Sequence, residues 1–119
     1  MAPQGFGAIV MLTSSAAKEW RHHMGGFSVG CASIEVLTPV LAGELKGTGV
    51  RVACIRANIT PETYPDLPDG ATEPLLADTL IPRLPRLDQV GAAAVFLASD
   101  RAGATTGALL DLTGGAIVD

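Results

Sequence analysis

The sequence predicts an α/β fold built on a three-stranded parallel sheet with flanking helices. Apolar, partly β-branched runs of five to seven residues alternate with longer stretches of helical periodicity, in the order strand, helix, strand, helix, strand. The first run is continuously apolar, as in strands that are buried under helices on both faces of a sheet. Because parallel strands need long crossovers of fixed hand, this order predicts a parallel sheet with right-handed connections.

The first strand and the first helix occupy the N-terminal part. Ala8–Thr13 (AIVMLT) is a continuous apolar run and predicts a buried strand. After a polar, irregular stretch, Phe27–Leu45 predicts a helix, because apolar residues such as Leu37 and Leu41 recur at helical spacing. Pro39 lies inside this helix and predicts a kink, since proline lacks the backbone N–H that the preceding turn needs.

Two more strands and one more long helix follow. Val50–Arg56 (VRVACIR) predicts the second strand, Leu87–Ser99 the second helix and Ala108–Leu112 the third strand. Residues 57–86 form a long loop that contains six prolines, with one short helical piece predicted at Leu75–Leu80. Loops of this length usually carry function or cover a site.

Composition excludes several classes of function. The net charge is −4 and no basic run occurs, which argues against a nucleic-acid partner. Hydrophobic residues make up 48% of the chain and charged residues 17%, an apolar balance that predicts some surface to be covered by a binding partner or ligand. Cys31 and Cys54 fit no metal spacing, so we expect free thiols and no metal site. With no basic leader and no uninterrupted apolar run of roughly 18 residues, we expect a cytoplasmic protein without a membrane partner.

Four segments carry a resemblance to a known family. They are "GAIVMLTSSAA", "ASIEVLTPVLAGEL", "GVRVACIRANIT" and "DQVGAAAVFLASDRAGATTGALLDLTGG". From Gly7 to Asp119 the sequence resembles the C-terminal half of a short-chain dehydrogenase/reductase, a nicotinamide-dependent Rossmann family. The resemblance implies a single partial Rossmann-like domain over residues 1–119, equivalent to half of a doubly wound fold. It also implies an atypical branch, which carries "MGGF" before the helix.

The resemblance places the family's catalytic positions on residues that lack the usual chemistry. Ser14 matches the Ser that polarises the substrate carbonyl, and the catalytic Tyr, thirteen residues later, falls on Phe27. Four residues further on, Cys31 stands where the family has a Lys that lowers the pKa of the Tyr and holds the ribose. Phe27 has no proton to transfer, so the resemblance implies a degenerate enzyme. Ser14 itself remains open between a surviving catalytic role and a plain strand-end hydroxyl.

The cofactor site is affected in the same way. The resemblance begins at the family's fifth strand, so the glycine-rich turn that binds pyrophosphate falls outside it. The family's Pro-Gly after the sixth strand is replaced by Ala57-Asn58. The residues that the resemblance implies near the nicotinamide are Asn58, Ile59, Thr60 and Thr63. We therefore expect no cofactor in the isolated chain, and NAD(P) only if a partner supplies the missing half.

Three functional readings stay open. The first is a truncated dehydrogenase-like protein that acts by homo-oligomerisation or by complementing a partner subunit, with an interface at the first strand and the first helix. The residues predicted there are Ile9, Val10, Ile34, Leu37 and Leu41. The second is an enzyme with altered acid–base chemistry in a shared pocket, in which Ser14 works with His22 or His23. The third is a fragment of a nicotinamide-dependent oxidoreductase.

Overall fold

The computed structural model describes residues 1–20 and 23–119. Its strands are β1 (Gly7–Ser14), β2 (Val50–Ala57) and β3 (Ala108–Asp111), and its helices are α1 (Gly25–Glu44), α2 (Glu73–Leu76) and α3 (Leu87–Ala98). Both strand pairs are parallel, and β2 lies between β1 and β3. The predicted three-stranded parallel sheet with flanking helices is confirmed.

The core lies between the sheet and α3. Ala53 and Ile55 of β2 form a buried cluster with Ala93 and Leu97 of α3, and Val10 of β1 packs against it. All eight residues of β2 except Arg51 are buried. The central strand is therefore apolar at nearly every position because it has a layer of structure on each face.

Helix α1 covers the opposite face of the sheet. Cys54 lies against Thr38 of α1, and the side chain of Thr13 in β1 donates a hydrogen bond to the carbonyl of Cys31 at 3.1 Å. Cys54 alternates with Ala53 and Ile55 along β2, so its side chain points to the other face. The sheet is thus sandwiched between α1 and α3, and both helices reach its C-terminal edge.

The boundaries of two helices differ most from the sequence predictions. Helix α1 begins two residues earlier than predicted, at Gly25, and continues past Pro39 to Glu44. The long loop contains the predicted short helix, but this helix spans Glu73–Leu76 and therefore begins and ends earlier than Leu75–Leu80. Its early start follows from Pro74, whose missing N–H and fixed φ are tolerated in a first helical turn.

The length and composition of α1 raise the question of a membrane. Of the helices in residues 1–20 and 23–119, α1 is the one long and apolar enough to cross a bilayer, by length and composition only. The sequence prediction considered only uninterrupted apolar runs, and it therefore missed that the helix as a whole is this apolar. Glu35, in the middle of α1, bonds to the buried Arg56 at 2.8 Å, and Cys31 and Thr38 are buried. These are the contacts of a helix that packs on a sheet.

Candidate functional site

A cleft with a volume of about 1010 Å³ opens at the C-terminal ends of β1 and β2. Its walls are the end of β1, the first turns of α1, the segment that follows β2 and the start of α3. Ligands of open α/β sheets bind outside the carboxyl ends of the strands, and small-molecule sites typically measure about 300–1,000 Å³. The cleft therefore has the location and the size of a ligand site.

Most of the predicted site residues meet in this cleft. Its lining includes Ser14, Phe27, Cys31, Asn58, Ile59, Thr60 and Thr63. His23 does not line it; this residue is exposed and has a left-handed backbone with φ of 61°. His22 lies outside the described residues. The hypothesis that Ser14 works with His22 or His23 in a pocket shared between subunits stays a prediction.

Ser14 ends β1 and begins a short turn. Its hydroxyl oxygen accepts a hydrogen bond from the backbone N–H of Ala16 at 3.3 Å and caps the 3-10 turn Ser15–Ala17. That bond uses a lone pair of the oxygen, so the hydroxyl hydrogen still has to be donated to something else. The hydroxyl thus has a structural role, and it lies on the wall of the cleft.

Phe27 and Cys31 give one wall of the cleft an apolar character. They are one helical turn apart on α1, so their side chains lie on the same side of the helix. Phe27 is 53% exposed, whereas Cys31 is buried. Neither side chain is positively charged. The phenyl ring of Phe27 can make apolar contacts with a ligand but cannot donate a proton to it. Both positions therefore lack the groups that the family uses for proton transfer.

Asn58 brings an unusual polar group to the cleft. The residue is 7% exposed, and its Oδ1 accepts a hydrogen bond from the backbone N–H of Ile59 at 2.8 Å. The Nδ2 atom is buried and has no hydrogen-bond partner among the residues that the structure describes. Buried donors in native proteins nearly always have a partner, so this amide stands out within the cleft wall.

Tyr64 lines the same cleft and was not predicted from the sequence. It follows the short turn Pro61–Thr63 and is 53% exposed. It is the only tyrosine of the chain and lies in the long loop just beyond the predicted nicotinamide residues. Those two facts could have marked Tyr64 as a candidate site residue. The loop has no periodicity, however, from which the direction of the side chain could be predicted.

The cleft itself is uncharged. None of the described residues that line it is Asp, Glu, Lys, Arg or His. Over residues 1–20 and 23–119, no group of three or more His, Cys, Asp or Glu side chains is arranged to hold a metal ion. A ligand in this cleft would therefore meet apolar surface and neutral hydrogen-bonding groups.

Charge is concentrated instead behind the cleft, around Arg56. Its guanidinium is 1% exposed and bonds to Glu35 at 2.8 Å, to Asp111 at 3.0 Å and to Asp119 at 3.1 Å. The hydrogen bonds to Glu35 raise the pKa of Arg56 above its already high range, and the bond from Arg56 lowers the pKa of Asp119. This network fixes α1, β3 and the residue Asp119 to the central strand.

We expect the Arg56–Asp119 bond to make stability depend on pH. Because the pKa of Asp119 is lower in the folded chain, its contribution is fully present above the unfolded pKa of about 3.9 and is lost as the pH falls through the folded pKa. The variant Asp119→Asn should therefore be less stable than the parent at about pH 7, and the difference should shrink toward about pH 3. Urea unfolding of both chains across this range measures it. A difference that stays constant with pH would contradict the assignment.

Comparison with known proteins identifies the family. A family model described as enoyl-(acyl carrier protein) reductase matches residues 1–116. The chain belongs to the short-chain dehydrogenase/reductase family. It is 27% identical to NADPH-dependent aldehyde reductase 2, chloroplastic, of Arabidopsis thaliana, over 96% of this chain and 43% of that protein. It is 31% identical to a 3alpha-hydroxysteroid dehydrogenase of Mediterraneibacter gnavus, over 98% of this chain and 47% of that protein.

Solved dehydrogenase structures match the fold. A short-chain type dehydrogenase/reductase from Mycobacterium ulcerans superposes with a TM-score of 0.89 at 27% identity, covering 98% of this chain and 43% of that one. A 7 alpha-hydroxysteroid dehydrogenase complexed with NADH and 7-oxo glycochenodeoxycholic acid gives 0.85 at 27% identity, covering 100% of this chain and 48% of that one. The short-chain dehydrogenase unit described here thus spans less than half the length of these relatives, as the resemblance implied. The atypical branch stays a prediction.

Proposed function

We propose that this 119-residue chain is a degenerate short-chain dehydrogenase/reductase without dehydrogenase activity of its own. The observation that carries the proposal is Phe27, which lies in the cleft together with Ser14 at the position of the family's proton-donating Tyr. Carbonyl reduction needs an acid within hydrogen-bond reach of the substrate oxygen. The phenyl ring of Phe27 removes that acid.

The residues of this chain also do not fit a nicotinamide dinucleotide by themselves. No described residue of the cleft lining carries a positive charge, and Cys31 stands where the family's ribose-binding Lys belongs. We infer that NAD(P) enters only when a partner chain supplies the other half of the fold. Asn58, Ile59, Thr60 and Thr63 would then face the nicotinamide end.

We expect that restoring the two catalytic residues does not restore catalysis. The double variant Phe27→Tyr, Cys31→Lys regains the family's spacing, but none of the residues that the structure describes is expected to hold a hydride donor beside the new Tyr. Oxidation of NADH and NADPH should stay at background with aldehydes, ketosteroids and 3-oxoacyl thioesters. The absorbance of the reduced cofactor measures the rate, and calorimetry measures binding.

The parent chain is the control, and circular dichroism establishes that the double variant is folded. Cofactor-dependent reduction of any of these carbonyls by the folded variant alone would contradict the proposal. A Kd of about 1 μM or tighter for either cofactor with the parent would contradict the cofactor inference.

Assembly is the second part of the proposal, and the structure changes which residues should carry it. Of the predicted interface residues, Leu37 is exposed, Ile34 lines the cleft and Leu41 is half-buried. Val10 packs against the core under α3, and Ile9 is half-buried on the edge strand β1. Val10 therefore reports on folding and is no clean probe of assembly.

The exposed face of α1 is the better candidate. An open apolar groove along it is lined by Val29, Ala32, Ser33, Val36, Leu37 and Val40. Val36 is 66% exposed and Val40 is 51% exposed. Contiguous exposed apolar surface of this kind marks interaction sites. We infer that a second copy of the chain or a partner subunit covers this face, together with the free edge of β1. We also propose that the chain acts in the cytoplasm and has neither a nucleic-acid nor a membrane partner.

A second candidate function is an enzyme with altered acid–base chemistry. Tyr64 favours it, because this side chain brings a phenolic hydroxyl to the cleft that already holds Ser14. The third reading, a fragment of a longer nicotinamide-dependent oxidoreductase, agrees with the fraction of the relatives' length that the chain covers. Cofactor-free turnover that Tyr64→Phe abolishes would favour the second candidate over the first.

A further inference from the structure

The Nδ2 donor of Asn58, which has no partner among the described residues, points to a ligand. The backbone N–H of Ile59 needs an acceptor and takes Oδ1 at 2.8 Å, which fixes the orientation of the amide and assigns Nδ2 to the opposite side. A buried N–H without a partner costs folding free energy that an apolar residue of similar shape would avoid. Asn58 lines the cleft and its Nδ2 is itself almost inaccessible, so a ligand that displaces the cleft wall at this residue would give the donor its missing partner.

The rest of the lining limits the chemistry of that ligand. Apolar walls come from Leu12, Met24, Phe27, Ile34, Leu87 and Val90. Because no described lining residue carries a charge, an ionised ligand would lose its hydration without gaining a counter-charge. The cleft accordingly suits a molecule that is neutral and largely apolar.

We propose that the chain binds, without a nicotinamide cofactor, a neutral apolar molecule whose acceptor oxygen takes a hydrogen bond from Asn58 Nδ2. Asn58 is then the residue that selects the ligand. Where this chain has Ala57-Asn58, the family that it resembles has Pro-Gly. The position of Asn58 is therefore a glycine in the family, with no side chain that could bind a ligand. The inference does not depend on self-association or on the loss of dehydrogenase activity, because it concerns binding to this chain alone.

Three fluorescent probes of similar size test the proposal on the parent chain. Prodan is a neutral naphthyl ketone, 2-(dimethylamino)naphthalene lacks the ketone, and 1-anilinonaphthalene-8-sulfonate carries a negative charge. Titration should give the tightest binding for Prodan, with a blue-shifted emission, and at least about 10-fold weaker binding for the analogue that cannot accept the hydrogen bond. Equal binding of the first two probes, no Prodan binding, or tighter binding of the sulfonate would overturn the proposal.

The variant Asn58→Asp isolates the donor. A carboxylate has nearly the same shape and still accepts from Ile59, but it places an acceptor where the N–H was. Prodan affinity should fall by about 10-fold or more, while binding of the ketone-free probe stays within about 2-fold. The matched control is Gln89→Glu, the same amide-to-acid change on a residue of α3 that does not line the cleft, and it should leave both affinities unchanged. Undiminished Prodan binding by folded Asn58→Asp would refute the role of the donor.

One spectroscopic readout needs no variant and covers the case in which Asn58→Asp fails to fold. Asn58 is the only asparagine of the chain, so labelling with ¹⁵N-asparagine yields one pair of side-chain amide signals. Prodan should shift this pair, and 2-(dimethylamino)naphthalene should shift it much less. A pair that responds equally to the two probes, or to neither, would mean that Nδ2 does not bind the ketone.

Discussion

Replacement of the buried Arg56 by Met is expected to lower the free energy of unfolding by about 3–5 kcal/mol. The Arg56 side chain is 1% exposed and is bonded to three carboxylates, of which Glu35 is 10% exposed. Without the guanidinium, Glu35 stays buried with no opposite charge, and that penalty is larger than the gain from burying a methionine. Since domains of this size are typically stable by about 5–15 kcal/mol, the variant should be close to unfolding at 25 °C.

Urea unfolding monitored by circular dichroism measures the loss, and Arg86→Met is the matched control. Arg86 pairs with Asp88 at 3.0 Å, but both side chains are more than half exposed, so the control should lose less than about 1 kcal/mol. Adding Glu35→Gln to Arg56→Met should recover part of the stability, because it removes the unpaired charge. Similar losses for the two arginine variants would contradict the central role of this network.

Placing aspartates at Val36 and Val40 is expected to convert an assembled chain into a folded monomer. Both valines line the exposed groove on α1, so the monomer should tolerate the charges at the small cost of helix propensity. In an interface between copies, each carboxylate would be buried without a partner. We expect the Kd of self-association to rise by at least about 100-fold, measured by sedimentation velocity over a concentration series.

The control for this experiment is Val95→Asp on α3. Val95 is 70% exposed and lies on the other side of the sheet, so the same valine-to-aspartate change should leave the assembly intact. Circular dichroism must show that the helix content of all three chains agrees. A parent chain that sediments as a monomer at every concentration would refute the assembly proposal, and so would a double variant that still dimerises.

The fold was predictable because the strands differ clearly from the helices in their apolar pattern. The continuous run at Ala8–Thr13 and the β-branched Val50–Arg56 both became strands. The cleft residues Ser14, Phe27 and Cys31 were predictable from fixed sequence offsets in the family. Helix geometry keeps Phe27 and Cys31 on one side of α1, and Ser14 meets them because β1 ends at the same cleft.

Other features depend on contacts that sequence periodicity does not contain. Helix α1 is apolar on most of its circumference, so the sequence did not indicate which side of the helix faces the sheet. The hydrogen bond between Glu35 and Arg56 fixes that orientation. Tyr64 belongs to an aperiodic loop, whose distal part is held by bonds such as Leu80 N–H to Gly114 O at 2.9 Å. The partners of Arg56 lie 21, 55 and 63 positions away, a separation that no local pattern reveals.

The parallel sheet also has a consequence for how the chain reaches its native state. Gly7 pairs with Val50, 43 positions later, and Ala53 pairs with Ala108, 55 positions later. No strand pair can therefore form before a long loop closes, and such closure is entropically costly and slow. While that search proceeds, the apolar segment of β1 has no partner strand and is available to other chains. Local helix formation in α1, which shortens the loop between β1 and β2, should therefore govern how long the nascent sheet remains vulnerable to aggregation.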